Sequence, residues 1–183
     1  GKVGPGPPVS ISLGPDGDQL SVRVTEDLQL KPEVLDEYGN LLKVEEFTYN
    51  VVGETKPFEV ERDTGILGAG EVVGYFPNKL GIKPRRGPLD YLFFDVEITP
   101  GPVKIIRRGS NDDPVRVEVT EDYTFTAEGT DEYGNVIEDV VFKFEVTDKG
   151  LGSIDPKTGK FTAKETAGKH KGLVTVGGDK DGV

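Results

Sequence analysis

The chain has 183 residues, 30% of them charged, and a formal net charge of −11; acidic residues are in excess in both halves, which argues against nucleic acid as a partner. There is no Cys, which excludes a disulfide framework and thiol chemistry, and no apolar run approaches the ~18 residues of a membrane-spanning helix. Met and Trp are also absent while Glu and Lys abound, a composition that leans toward a thermophile. Gly1 is not an initiator residue, and the sequence reads as a processed chain or a piece of a longer one.

Residues 1–8 (GKVGPGPP) are too rich in Gly and Pro for a helix and form an extended lead-in. Residues 9–13 alternate as a short strand, 14–19 form turns, and 20–24 alternate again. Thr25-Glu26-Asp27 is a polar corner before the alternation resumes. Asp36-Glu37-Tyr38-Gly39-Asn40 follows, with the chemistry of a tight turn. Asp bonds its own backbone two residues on, Gly takes φ > 0, and Asn tolerates the neighbouring geometry. Tyr38, and Tyr133 in the second copy of the motif, are expected to fold back over the edge of the core. The next strand, 46–52, places Phe47, Tyr49 and Val51 on one face. A short edge strand and a hairpin turn at Asp63-Thr64-Gly65 come after it. Residues 70–88 hold four Gly and three Pro and read as an irregular insertion. Residues 89–99 are a strong strand with Leu92, Phe94, Val96 and Ile98 on one face, and Pro100-Gly101-Pro102 is a stiff joint.

DEYGN then recurs as Asp131 to Asn135, at an offset of 95 residues. Its flanks repeat in the same register. Val22-Arg-Val-Thr-Glu-Asp27 matches Val117-Glu-Val-Thr-Glu-Asp122, and Phe47-x-Tyr49-x-Val51 matches Phe142-x-Phe144-x-Val146. The chain is a tandem repeat, with domains at 1–100 and 101–183. In the second domain the expected strands are 103–107, 115–119, 123–129, 140–146, 151–155, 159–163 and 172–177. No helical stripe occurs anywhere. Short strands with turn residues every ten positions or so predict an all-β fold of two tandem sandwiches. Their expected cores are Val22, Val24, Leu28, Leu30, Phe47, Tyr49 and Val51, and Val117, Val119, Tyr123, Phe125, Phe142, Phe144, Val146 and Phe161.

The second domain has no counterpart of 89–99. Its last residues, 177–183, read as a hairpin turn with nothing after it. The expectation is that the native polypeptide continues, or that another chain lends the final strand. The loose segment 1–13 is the first donor to consider.

The second domain runs from an alternating strand to D-x-Y-G-N and the aromatic strand Phe142-Lys-Phe144-Glu-Val146. G-x-I-D-x-x-T-G-x-F-T-A at 152–163 and a Val-rich strand complete it. This resembles the bacterial immunoglobulin-like (Big) domains of invasin- and intimin-type surface proteins and of surface-layer proteins. The likeness covers nearly all of the second domain and most of the first, which departs from it at 66–88. It implies two immunoglobulin-like β-sandwiches in a non-catalytic structural or adhesive segment of an extracellular cell-surface protein. It also implies partners among other domains or copies of that protein, or a glycan or host surface. The alternatives are an accessory module of a secreted polysaccharide-degrading enzyme and a filament subunit completed by strand donation. Fold alone decides none of these.

The paired acids Glu26/Asp27, Asp36/Glu37, Glu121/Asp122 and Asp131/Glu132 resemble a catalytic carboxylate pair. They recur at equivalent turns, however, as structural residues do, and no catalytic residue is assigned. Calcium is the better expectation. If tandem domains appose the Glu26/Asp27 corner with the second DEYGN turn, then Glu26, Asp27, Asp131, Glu132 and Asn135 offer hard oxygen ligands. The competing reading is a local turn bond at Asp131 and solvated neighbours. His170, the single His, sits among lysines with no second soft ligand and reads as a solvated loop residue. Lys79, Lys83, Arg85 and Arg86 form a basic island suited to an acidic glycan or an acidic neighbour, or simply a solvated loop. Tyr38, Tyr75, Tyr91 and Tyr133 read as rim or core residues before sugar platforms.

Overall fold

The computed structural model describes residues 4–14, 19–109 and 114–179. The outermost ends of the lead-in and of the expected final hairpin, 1–3 and 180–183, lie outside the described residues. Every regular element among the described residues is a strand, so the fold is all-β. The chain divides into unit 1, Gly1–Thr99, and unit 2, Pro100–Val183.

Unit 1 contains β1 (Pro8–Ser12), β2 (Gln19–Arg23), β3 (Asp27–Gln29), β4 (Glu33–Asp36) and β5 (Leu41–Leu42), then β6 (Phe47–Val51), β7 (Phe58–Val60), β8 (Ile66–Ala69), β9 (Gly74–Pro84) and β10 (Leu92–Thr99). They form sheets in the orders β1-β4-β5, β2-β10-β9-β6 and β3-β8-β7. Unit 2 contains β11 (Ile105–Arg108), β12 (Asp122–Thr124), β13 (Ala127–Thr130) and β14 (Val136–Ile137), then β15 (Val141–Val146), β16 (Gly152–Ile154), β17 (Lys160–Ala163) and β18 (Val174–Asp179). Its sheets are β11-β13-β14, β12-β17-β16 and β15-β18. Two of the three sheets thus correspond between the units, and the third has four strands in unit 1 but two described in unit 2.

Period-two alternation explains the packing. In β10, Phe94, Val96 and Ile98 point inward and are buried. Beside them in the same sheet, Leu80 and Ile82 of β9, Val22 of β2 and Val24 just after β2 are buried too. Phe58, Leu67 and Val34 close the core of unit 1 from the other sheets. Of the expected core, Val22, Val24, Leu30, Phe47, Tyr49, Phe144 and Phe161 are buried. Leu28, Val51, Val117, Tyr123, Phe125, Phe142 and Val146 are half-buried, and Val119 is 45% exposed.

Residues 70–88 are not irregular. They contain β9, which at 11 residues is the longest strand and is paired on both sides, with β6 and β10. The Gly and Pro residues that obscured it are placed where they cost little. Pro77 and Asn78 fall at a register shift, where Phe94 pairs with Leu80 and Val96 with Phe76, so the ladder is already interrupted. Gly81 lies beneath the Tyr91 and Phe93 rings, where a Cβ would come within 3.1–3.2 Å of them.

The expected strand at 115–119 does not form. Among the described strands its counterpart β2 is held in its sheet by β10 alone, and no described strand of unit 2 stands where β10 does. The expected strand 123–129 is split into β12 and β13, which belong to different sheets.

Candidate functional site

The two DEYGN turns are the most developed polar structures in the chain. Asp36 ends β4, and Asp131 follows β13 directly. Each turn closes in the same way. Gly39 N–H donates to the Asp36 carbonyl at 3.1 Å, and Gly134 N–H to that of Asp131 at 3.2 Å. Gly39 and Gly134 have φ of 79° and 85°, the left-handed region that glycine enters without steric cost.

The carboxylates are buried, Asp36 at 3% exposure and Asp131 at 1%. Asp36 Oδ1 accepts from the N–H groups of Tyr38 and Asn40 at 2.9 and 2.8 Å. Its Oδ2 accepts from Asn40 Nδ2 at 2.9 Å and from Gly6 N–H at 2.8 Å. Asp131 repeats the set. Tyr133 and Asn135 N–H donate to Oδ1 at 3.0 and 2.9 Å, and Asn135 Nδ2 and Gly101 N–H to Oδ2 at 2.9 and 3.0 Å. The local Asp-to-backbone bonds were legible in sequence. The capture of a backbone amide 30 residues upstream was not. Gly6 and Gly101 belong to the segments that lead into their units, so each carboxylate brackets the entering chain to the turn.

Both carboxylates stay ionised despite burial. The Asn40 amide, and then the Gly6, Asn40 and Tyr38 N–H groups, outweigh desolvation and hold Asp36 at about 2, against an ordinary 3.8. At Asp131 desolvation is the largest influence and pulls upward, but the Asn135 amide and the Gly101, Asn135 and Tyr133 N–H groups together hold it below the usual range. Four donors fill the four lone-pair positions of each carboxylate, as a structural turn bond requires.

Tyr38 and Tyr133 do not fold over the core edge; they are 77% and 39% exposed. The Asp carboxylate, not the aromatic ring, anchors the turn. Around Gly134 nothing lies within 4 Å of an added Cβ. Gly134→Ala is therefore expected to cost only the left-handed strain, about 1–2 kcal/mol, in a denaturant melt. A loss above ~3 kcal/mol would mean that the turn is packed against something.

Of the other residues expected to bind calcium, Glu26 and Asp27 lie in unit 1 and are exposed, while in unit 2 Glu132 is exposed and Asn135 half-buried. Within either unit, no group of three or more His, Asp or Glu side chains is gathered to hold a metal among the described residues. The Thr-Glu-Asp corners are strained alike, with Thr25 at φ 60° and Thr120 at φ 66°, a region that β-branched residues rarely adopt. Asp122, in the second corner, receives Lys160 Nζ at 2.7 Å and Thr162 Oγ1 at 2.6 Å, which fastens β12 to β17. His170 is exposed between exposed lysines.

The basic island is partly assembled. Lys83 and Arg85 join Arg62, Thr48, Asp63 and Tyr91 around an open depression of about 470 Å³. Lys83 Nζ stands 4.7 Å from the Tyr91 ring centroid, a cation–π distance. Arg85 pairs with Asp63 and lies 3.8 Å from Glu46, so its charge is largely answered. Tyr75 is 54% exposed and bonded to Asp95 rather than to the core.

No family model and no curated protein matches the sequence. Among solved structures, the protocadherin gammaB7 EC3-6 cis-dimer is 16% identical over 86% of this chain, with a TM-score of 0.44; the match spans 44% of that chain. Human protocadherin-24 EC1-2 is 11% identical over 87% of this chain and 79% of its own, with a TM-score of 0.47. Domains 5–6 of the S-layer protein SbsC are 17% identical over 96% of this chain and 93% of theirs, with a TM-score of 0.35.

Proposed function

We propose that the chain is a non-catalytic structural or adhesive segment of an extracellular cell-surface protein, adhesin-like or surface-layer-like, built from bacterial immunoglobulin-like domains. One observation carries this reading. In both units the buried carboxylate is spent on bracketing the entering chain, with all four acceptor positions filled. Identical brackets at the entry of successive all-β units suit a module that must hold its shape along a chain. The partners on this reading are further domains or copies of the same protein, with an acidic glycan at the Lys83–Tyr91 depression as a secondary contact. Calcium stays part of the proposal as a weak site drawing on Glu26, Asp27, Asp131, Glu132 and Asn135, with the turn's own donors on the Asp131 carboxylate weighing against its share. A calorimetric titration with millimolar Ca²⁺ that gives no heat and leaves the melting temperature unchanged removes it.

Protease treatment of intact producing cells tests the location. The reading expects fragments containing DEYGN to be released or degraded while cytoplasmic markers are spared. Protection until lysis would contradict it.

A further inference from the structure

We propose that the solvent-facing side of the β9–β10 pair in unit 1 binds an acidic saccharide of the uronic-acid type. Phe93 is the platform for one sugar ring, and Lys83 and Arg62 hold a neighbouring carboxylate. This ligand belongs with the cell-surface reading and rests on it, because such polymers lie outside the cell.

Strand alternation puts the residues on one face. Phe94, Val96 and Ile98 of β10, and Leu80 and Ile82 of β9, turn into the core. Phe93 of β10, Tyr91 just before it, and Gly81 and Lys83 of β9 therefore take the opposite side. The register brings them together: Phe93 pairs with Gly81, and Lys83 with Thr48 of β6. Tyr91, Lys83, Thr48 and Arg62 line the open depression of unit 1.

The aromatic part is flat and open. The Tyr91 and Phe93 rings are 6.4 Å apart, with an angle of 26° between their planes. Both come down over Gly81, where an added Cβ would meet Phe93 at 3.1 Å and Tyr91 at 3.2 Å. Glycine here lets the rings settle on the backbone itself. Phe93 nevertheless stays 49% exposed, so apolar surface remains on its outer side. A pyranose presents a face of C–H groups that suits such a ring. An extended peptide would instead seek a strand edge, and β9 and β10 each have a strand on both sides.

The charged part lies beside the rings. Arg62, Lys83 and Arg85 line the depression against one acid, Asp63, in a chain of net charge −11. Arg85 is spent on Asp63 and Glu46. Among the described residues no carboxylate pairs with Lys83 or Arg62. Lys83 Nζ rests 4.7 Å from the Tyr91 centroid, which holds the ammonium near the platform. Arg62 adds a planar fork that matches a carboxylate. The chain's overall charge repels a dense polyanion at long range. A saccharide with one carboxylate per ring carries less charge and gains from stacking.

The test titrates the 183-residue protein with tetragalacturonate, without divalent cations, and follows backbone amides by NMR. Saturable shifts are expected at Thr48, Arg62, Gly81, Lys83 and Phe93, and they should weaken as NaCl is raised. The methyl-esterified tetramer keeps the sugar rings and loses the charge. Tetraglutamate keeps the charge and loses the sugar rings. Each should bind more than about tenfold more weakly than tetragalacturonate. Lys83→Gln should weaken tetragalacturonate by a similar factor. Phe93→Leu keeps an apolar cover over Gly81 but removes the flat ring, so the amide spectrum should hold while affinity falls. Four results overturn the proposal: no saturable shift at millimolar tetragalacturonate, shifts confined to other residues, equal binding of tetraglutamate, or undiminished binding by Phe93→Leu. Each would leave the cell-surface reading standing, because that reading is tested on intact cells.

Discussion

Phe144→Ala is expected to cost unit 2 about 3–5 kcal/mol in a denaturant melt. Phe144 is 5% exposed. Its ring lies against the β16–β17 turn, where an added Cβ on Gly159 would come within 3.1 Å of it. Its N–H donates to the Pro156 carbonyl at 2.9 Å, which ties β15 to the same turn. Removing the ring leaves a void that a short, hydrogen-bonded hairpin cannot collapse to fill. Phe142, two residues earlier on the same face, is half-buried. Phe142→Ala is therefore expected to cost clearly less than Phe144→Ala. A loss under ~1 kcal/mol at Phe144, or the reverse ranking, would mean that the register of β15 is wrong.

Asp131→Ala is expected to destabilise unit 2 by on the order of 3 kcal/mol, because it orphans several donors at a buried site at once. Gly101, Tyr133 and Asn135 each lose an acceptor for their N–H, and the Asn135 side chain loses its own. Glu132→Ala, next along the chain and exposed, should stay within about 0.5 kcal/mol of the parent. Asp131→Asn is intermediate, since an amide keeps one acceptor oxygen but turns a donor toward donors. Amide exchange at Gly101 should accelerate in Asp131→Ala and not in Glu132→Ala. Equal effects of the two Ala variants would remove the bracket as a structural device.

The sequence is transparent where structure is local. The DEYGN repeat, its left-handed glycines and the Asp-to-backbone turn bonds all follow from residues within five positions of one another. The hairpin turns behave likewise: Gly65 and Gly159 have φ of 71° and 70°. What is not legible depends on a distant neighbour. The Gly6 and Gly101 amides carry no side-chain signature, so their capture by Asp36 and Asp131 cannot be read from composition. β9 is hidden in the sequence because Gly and Pro read as strand breakers, although Pro77 sits at an existing break in the ladder and Gly81 makes room for two rings. Val24 and Val119 occupy the same place in the repeat, yet one is 3% and the other 45% exposed. Alternation says which side chains share a face. It does not say whether a strand is present beside them.

The bracket is tested most directly by a pH titration of the protein that follows the Asp36 carboxyl carbon and the Gly6 amide proton by NMR. The folded value of Asp36 is depressed, to about 2 from 3.8. Its contribution to stability is therefore complete above the unfolded value and is lost as pH falls from about 4 through about 2. Both signals should move together in one transition with a midpoint near pH 2. A midpoint at the ordinary carboxylate value, with the Gly6 amide unmoved, would contradict the structural role assigned to the repeated turn.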